Sequence, residues 1–555
     1  MVGFSKTLCL GLLLGALAGC HRAAPAAPPA ATGAGRAPAD TLARLVEGYW
    51  IEHIAQDEVI DAQRLADGLA VERRYLSALG EVPREPLLPA AQLTYDLFKR
   101  QRELAVEGFT YPEELMPLKP FGSVPFRLAA AAIGSGQRSL GAVDYAAWLQ
   151  EIDACSAWLE QARANLRDGL ARGYTTPRPL IERLLVPLEA LGRDAPDNPF
   201  YEPLKVMAGS IAAPERERLN RTYHDAVGQR LLPAVRALHD FLAKDYLPKA
   251  RTSLSITDLP LGAAWYAYRL RRATGGPQGA ADLHRQGLAE VERLKARGLP
   301  ADVPPRPAAD LLSAYLQLGE AVTPKLDALF ELAAPPPALP VAALDYPLEP
   351  ASAASYQPAR AGLPAALYVH APAPGGRYSA ADFLAAALPG EYFRQLQLEH
   401  AGVPRFRRFA AVPAYAEGWD MYAAGLGEEL GAYPDEAARS QYQARQLRCA
   451  AGLVLDTGVH TQGWTRGKAL EYLHAQTMMD AADAGALIDQ IVASPGDGSA
   501  CELGALKFQQ LRARAQAALG TRFDIREFHQ QLLSAGALPL DELDARIKSW
   551  MEASR

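Results

Sequence analysis

Residues 41–54 read TLARLVEGYWIEHI. Leu42, Leu45, Val46 and Tyr49 recur at steps of three and four, with Ile54 following, and that rhythm puts the apolar side chains on one stripe of a helix. The same spacing carries on to Leu79 and returns over Tyr145–Arg172, Glu215–Tyr246 and Asp282–Arg297. Proline-rich joints at Pro177–Pro179 and Pro300–Pro307 separate these stretches, as expected where the chain must leave a helix. Pro335 to Tyr378 is rich in Ala and Pro and shows little periodicity. Within it, residues 365–370, AALYVH, have the make-up of one short strand. Helical spacing resumes near Ala380 and runs to Trp550. The expected fold is mainly α, with few or no strands. No linker after residue 40 looks long and solvated enough to part independent units, and no internal repeat is visible. Residues 40–555 are therefore expected to form a single large helical domain, in two lobes with a cleft.

The first nineteen residues combine one basic residue, Lys6, with a short apolar run from Leu8 to Leu17 and small residues before Cys20. This is the pattern of an export signal, and the run is too short to span a bilayer. Leu17-Ala18-Gly19-Cys20 resembles the bacterial lipobox, in which the cysteine is lipidated and becomes the first mature residue. Residues 1–19 then form the signal peptide and residues 20–39, dominated by Ala, Pro and Gly, a flexible tether. His21 rather than Asp follows the cysteine, which by the usual sorting rule favours the periplasmic face of the outer membrane. No later run reaches membrane length, so the lipid on Cys20 is the only membrane attachment expected. A net charge of −6 leaves no electrostatic footprint for nucleic acid.

Several kinds of chemistry lack their motifs. A helix-borne zinc site usually takes two histidines four residues apart, so that both imidazoles share a face. The ten histidines here are never closer than fourteen residues. There is no Gly-x-Ser-x-Gly nucleophile elbow, no Cys-x-x-Cys pair and no complete phosphate or dinucleotide loop.

Three C-terminal stretches carry a recognisable pattern: PRFRRFAAVPAYAEGWDMYAAGLG at 404–427, LVLDTGVHTQGWTRGKA at 453–469 and RFDIREFHQQLLSAGALPLDELDARIKSW at 522–550. Upstream, residues 246–251, YLPKAR, and 259–262, LPLG, followed by Trp265-Tyr266, fit as well. Together they resemble the bacterial domain-of-unknown-function 885 family over residues 40–555. The resemblance implies a large helical body like that of a zinc metallopeptidase. The family hallmark carried over is His-Glu-x-x-Pro-Gly-His-His on a helix. Pro389-Gly390 keeps its centre, but Ala385 stands at the first His, Ala386 at the Glu, and Glu391 and Tyr392 at the closing pair. An alanine methyl can neither ligate metal nor move a proton. Cys449 and Gly452 stand where the family commonly has two arginines, and Cys501 where a tyrosine is expected. Glu417 and His460 are retained.

These departures imply an envelope lipoprotein with a degenerate metallopeptidase-like domain, a pseudoenzyme without catalytic residues, cofactor or metal, binding a peptide or an envelope protein. One alternative is a hydrolase with a site rebuilt from Glu417, Glu391 and His460. The other is an intact zinc metallopeptidase. Glu417 can also be read as an acid near a helix N-terminus, and His460 as a backbone hydrogen-bonding group. Glu391 and Tyr392, adjacent on a helix, point about a hundred degrees apart. Cys449 and Cys501 take positions that converge in the resembling family, which suits a disulfide in an oxidising compartment. Two small buried thiols filling vacated space are an equal reading. Cys155 is expected to remain free.

Overall fold

The computed structural model describes residues 38–53, 59–120, 122–134, 140–300, 307–344, 354–358, 365–370, 377–408 and 412–554. The signal segment, Cys20 and the tether to residue 37 lie outside the described residues. The fold is mainly α-helical, and it divides into two compact units that meet in the chain at residues 253–254.

The N-terminal unit holds α1 (Pro38–His53), α2 (Ala62–Gly80), α3 (Pro89–Gly108), α4 (Val124–Gly134), α5 (Ala142–Arg172), α6 (Arg178–Leu191), α7 (Ala213–Ala226) and α8 (Leu232–Phe241). The long periodic stretch from residue 41 is not one helix. It is broken before α2, where the Asp61 carboxylate accepts a hydrogen bond from the Arg64 N–H and caps the new helix. Periodicity alone cannot see such a cap, because both helices keep the same apolar rhythm. In α1–α3 the edges of Tyr75 and Phe98 meet the Tyr49 ring. The buried Arg102 pairs with Glu72 at 2.9 Å, and Tyr49 donates to the same carboxylate at 2.8 Å. α5 ends at Gly173, whose φ of 79° is the left-handed C-cap glycine favours. Its inner face packs Tyr145, Ile152 and Leu159 into a core shared with Leu188, Tyr223 and Tyr246.

The C-terminal unit holds α9 (Gly262–Thr274), α10 (Ala280–Lys295), α11 (Ala308–Val322), α12 (Ala380–Ala386), α13 (Glu391–His400), α14 (Arg405–Arg408) and α15 (Pro413–Gly425). It continues through α16 (Glu436–Thr461), α17 (Arg466–Thr477), α18 (Ala481–Ala493), α19 (Ala500–Leu519), α20 (Ile525–Leu533) and α21 (Leu540–Ala553). The expected strand is present, and two more join it: β1 (Val341–Leu344), β2 (Ala354–Gln357) and β3 (Ala366–His370). β3 lies in the middle, parallel to β1 and antiparallel to β2. β1 and β2 are four residues each, too short for a strand period to stand out from their Ala- and Pro-rich surroundings.

Two glycines set the spacing at the centre of this unit. A methyl group on Gly504 of α19 would lie 1.8 Å from the Ala414 carbonyl oxygen, and one on Gly418 of α15 would lie 2.3 Å from the Gly504 Cα. α15 and α19 therefore cross backbone on backbone, and Trp419, Tyr415 and Phe508 fill the core beside the crossing.

Candidate functional site

α12 and α13 are joined by a turn containing a cis Leu388–Pro389 peptide. Gly390 is required there, since a Cβ would fall 1.9 Å from the Ala385 carbonyl oxygen. The Pro389 carbonyl accepts a 3.0 Å hydrogen bond from the Trp419 indole, which ties the turn to α15. Ala385 and Ala386 close α12, each 1% exposed, so their methyl groups pack in the interior. Glu391 accepts from the Gln395 amide at 3.2 Å, whereas Tyr392 donates to the Pro337 carbonyl at 3.0 Å. The two adjacent side chains take different partners, as their angular separation requires.

Glu417 lies on α15 and is 6% exposed. It is one residue before the crossing glycine, in the interior rather than on the solvated first turn that a simple dipole role would favour. His460 is fully buried at the end of α16. Its Nδ1 accepts from the Ile256 N–H at 3.2 Å and its Nε2 faces the Ile491 carbonyl at 3.3 Å. Both ring nitrogens thus face backbone, and Ser255 and Thr257 donate to the His460 carbonyl. These bonds hold the 255–257 turn against α16.

Four residues earlier, Asp456 performs a similar task. It is fully buried and accepts from the Tyr266 hydroxyl at 2.8 Å, the Gly496 N–H at 3.0 Å and the Gly498 N–H at 2.8 Å. Burial pushes its carboxyl up to about 7, against the pull of these three donors. The Pro495-Gly496-Asp497 turn is thereby latched onto α16.

Cys449 and Cys501 form a disulfide, with Cα atoms 5.7 Å apart, that links α16 to the first turn of α19. Cys155 is free and buried. Beside the bridge lies Glu502, 4% exposed, whose carboxyl is pushed up to about 8 by burial and then by the charge of Glu290. Glu290 is held by Arg293, with one N–H···O contact at 2.7 Å. Nothing in the sequence pattern singled out Glu290 or Glu502. Each falls on an ordinary helical stripe, and only packing reveals that both are buried.

Zinc, which the resemblance implies, does not fit these side chains. The Ala385 and Ala386 methyls offer no donor atoms, and the His460 nitrogens face backbone. Among the described residues, no three His, Cys, Asp or Glu side chains converge as a metal-ligating set.

A mainly helical unit, in which α15 and α19 cross backbone on backbone, a disulfide ties α16 to α19, and buried Asp456 and His460 fasten two turns to α16, defines the class of fold. The family described as "Bacterial protein of unknown function (DUF885)" matches residues 52–547, and the chain belongs to it. The fold is similar to the crystal structure of a protein described as a candidate lipoprotein from Colwellia psychrerythraea. That match has a TM-score of 0.79 at 19% identity and covers 93% of this chain and 100% of the other. A protein of unknown function from Shewanella oneidensis, also described as a candidate lipoprotein, matches with a TM-score of 0.61 at 14% identity, covering 92% and 99% of the two chains. No curated protein matches the chain.

Proposed function

We propose that this chain is a lipid-anchored envelope protein whose peptidase-like domain has given up zinc-dependent hydrolysis and binds a peptide or protein partner. The observation that carries the reading is the pair Ala385 and Ala386, buried methyl groups beside the retained Pro389-Gly390 turn. Where the resemblance calls for an imidazole and a general base, these side chains can supply neither a metal ligand nor a proton acceptor. Around them, Cys449, Gly452 and Cys501 replace the polar groups that would orient such ligands, so the outer support of a metal is missing as well. The anchor rests on Leu17-Ala18-Gly19-Cys20 and agrees with the descriptions of both structural neighbours as candidate lipoproteins. No described helix is long and apolar enough to cross a membrane.

Metal analysis of the purified mature protein, alongside a broad peptide-hydrolysis screen, tests the reading. The expected result is no stoichiometric zinc and no cleavage. One zinc per chain, removed by a chelator together with a peptidase activity, overturns it. For the anchor, Cys20→Ala should release the protein from the membrane fraction or block lipid-dependent processing. Continued sedimentation of that variant with outer membrane would show another attachment.

A further inference from the structure

β3 has a neighbour on each side, so the three-stranded sheet ends in two edges. β2 forms one edge and packs against α12. β1 forms the other. The Leu367 N–H donates to the Pro340 carbonyl at 2.8 Å, and Val341 pairs with Leu367 in parallel register. That pattern turns the N–H and C=O of Ala342 toward β3 and those of Val341 and Ala343 away from it. Among the described residues, the outward groups of Val341 and Ala343 meet no hydrogen-bond partner. Pro340 and Ala343 are exposed, with Val341 and Ala342 half-buried between them, so solvent reaches this edge.

The side chains add to the picture. Paired residues share a face of the sheet, so Val341 and Ala343 lie on the face of their partners Leu367 and Val369, both fully buried. Ala354 and Tyr356 of β2, which pair with Val369 and Leu367, are 1% and 7% exposed. This apolar face is closed under β3 and β2 and opens at Ala343. α11 packs against β1, and its Leu316 is 48% exposed. Edges of sheets are commonly blunted by a charge, a proline or a bulge. Val341-Ala342-Ala343-Leu344 has neither charge nor proline, and its register with β3 runs without a bulge.

We propose that the outer edge of β1 takes an extended peptide segment of a partner protein as a fourth strand. The proposal rests on the reading of this domain as a peptide binder and names the surface it uses. Unpaired N–H and C=O groups repeating at every second residue match the backbone of an extended chain. The added strand lies about 4.8 Å outside β1. Alternate side chains of that strand fall beside Val341 and Ala343 on the apolar face. The others fall on the face of Ser355 and Gln357, which are half-buried. The partner segment is therefore one of alternating apolar and polar residues, with no charge required of it.

The test uses the full mature chain, carrying Cys20→Ala for solubility, and a fluorescein-labelled peptide AALYVH. This is the sequence of residues 365–370, which includes the strand that pairs with β1 on its inner side. Fluorescence anisotropy should show saturable binding, and hydrogen exchange read by mass spectrometry should slow at residues 341–343. The same peptide N-methylated at its leucine and tyrosine nitrogens, which blocks both of its edges, should not bind. Ala343→Pro removes one outward N–H and leaves the bonds to β3 in place. It should weaken binding about tenfold or more in a protein that stays folded by circular dichroism. Val341→Pro removes the other outward N–H and decides the matter if Ala343→Pro does not fold. No binding of the peptide, equal binding of the N-methylated form, or binding undiminished in folded proline variants overturns the proposal. A dimer in sedimentation that Ala343→Pro dissolves gives the edge to a second copy of the chain and also overturns it. Mass spectrometry of the recovered peptide keeps this test apart from the function above. A peptide that binds at the edge and returns cleaved refutes the non-catalytic reading and leaves the edge standing, whereas an intact, unbound peptide refutes the edge alone.

Discussion

His529 allows a quantitative prediction about acid. Its Nδ1–H donates to the Leu329 carbonyl at 2.8 Å, its Nε2 accepts from the Tyr422 hydroxyl at 2.8 Å, and its ring stacks on Phe330 at 4.7 Å. The residue is fully buried, and burial pushes the imidazole down from 6.5 to about 3. A depressed folded value means that the unfolded chain binds the proton more readily. The stabilisation is complete above 6.5 and is lost as pH falls toward 3. Near pH 5 the linkage relation gives a loss of about 2 kcal/mol from this one group, rising to a ceiling of about 5 kcal/mol once both states are protonated. The measurement is urea unfolding by circular dichroism at pH 7.5 and pH 5, on the mature protein and on His529→Gln. The variant is less stable at both pH values, but the wild type should lose about 2 kcal/mol more than the variant on acidification. Taking the difference cancels the other titrating groups, which the two proteins share. Equal losses in the two proteins, or an imidazole resonance of His529 titrating near 6.5 in the folded state, would refute the reasoning.

The remaining predictions concern the bridge and the buried charges. Thiol counting on the denatured mature chain should find one reactive group, Cys155, and three would reject the bridge. Reducing the Cys449–Cys501 bridge, which closes a separation of 52 residues, should lower stability by up to about 4 kcal/mol on the chain-entropy account. Glu502, raised from 4.5 to about 8, favours the fold most below 4.5, and that contribution is lost as pH rises through 8. Glu502→Gln should therefore gain stability relative to wild type at alkaline pH, and a pH profile parallel to the wild type contradicts this. In the N-terminal unit, Arg102→Met leaves Glu72 buried without its cation and should cost about 3–5 kcal/mol in denaturant unfolding. A cost below about 1 kcal/mol, the scale of an exposed pair, would show that solvent reaches it.

Parts of the fold were legible because the physics behind them is local. α5 (Ala142–Arg172) follows the stretch read from Tyr145, and α10 (Ala280–Lys295) nearly coincides with the one read from Asp282. A stripe of apolar residues needs only its own neighbours to declare a helix. The strand at residues 366–370 was visible for a similar reason, through its aromatic and β-branched residues. β1 and β2 were not, because a four-residue strand exists only once β3 supplies its hydrogen bonds. At the site, His460 could be read as a backbone hydrogen-bonding group, but the Ile256 and Ile491 backbone groups that face its ring could not be named from the sequence.

By itself the sequence determined the helical class, the export and lipidation pattern, the family, and the absence of any nearby histidine pair. Each rests on residue type or on spacing within a few turns. Tertiary structure alone decided which buried polar groups meet. Asp456 finds the Tyr266 hydroxyl across 190 residues, and Arg407 finds the Ala535 carbonyl across 128. Arg394 and Glu502 look like solvated helix residues until the chain closes over them. Their burial follows from how α13 packs on α15 and how closely α19 crosses it at Gly418 and Gly504. The cost of hiding a charge arises only at that closure, so local periodicity carries no record of it.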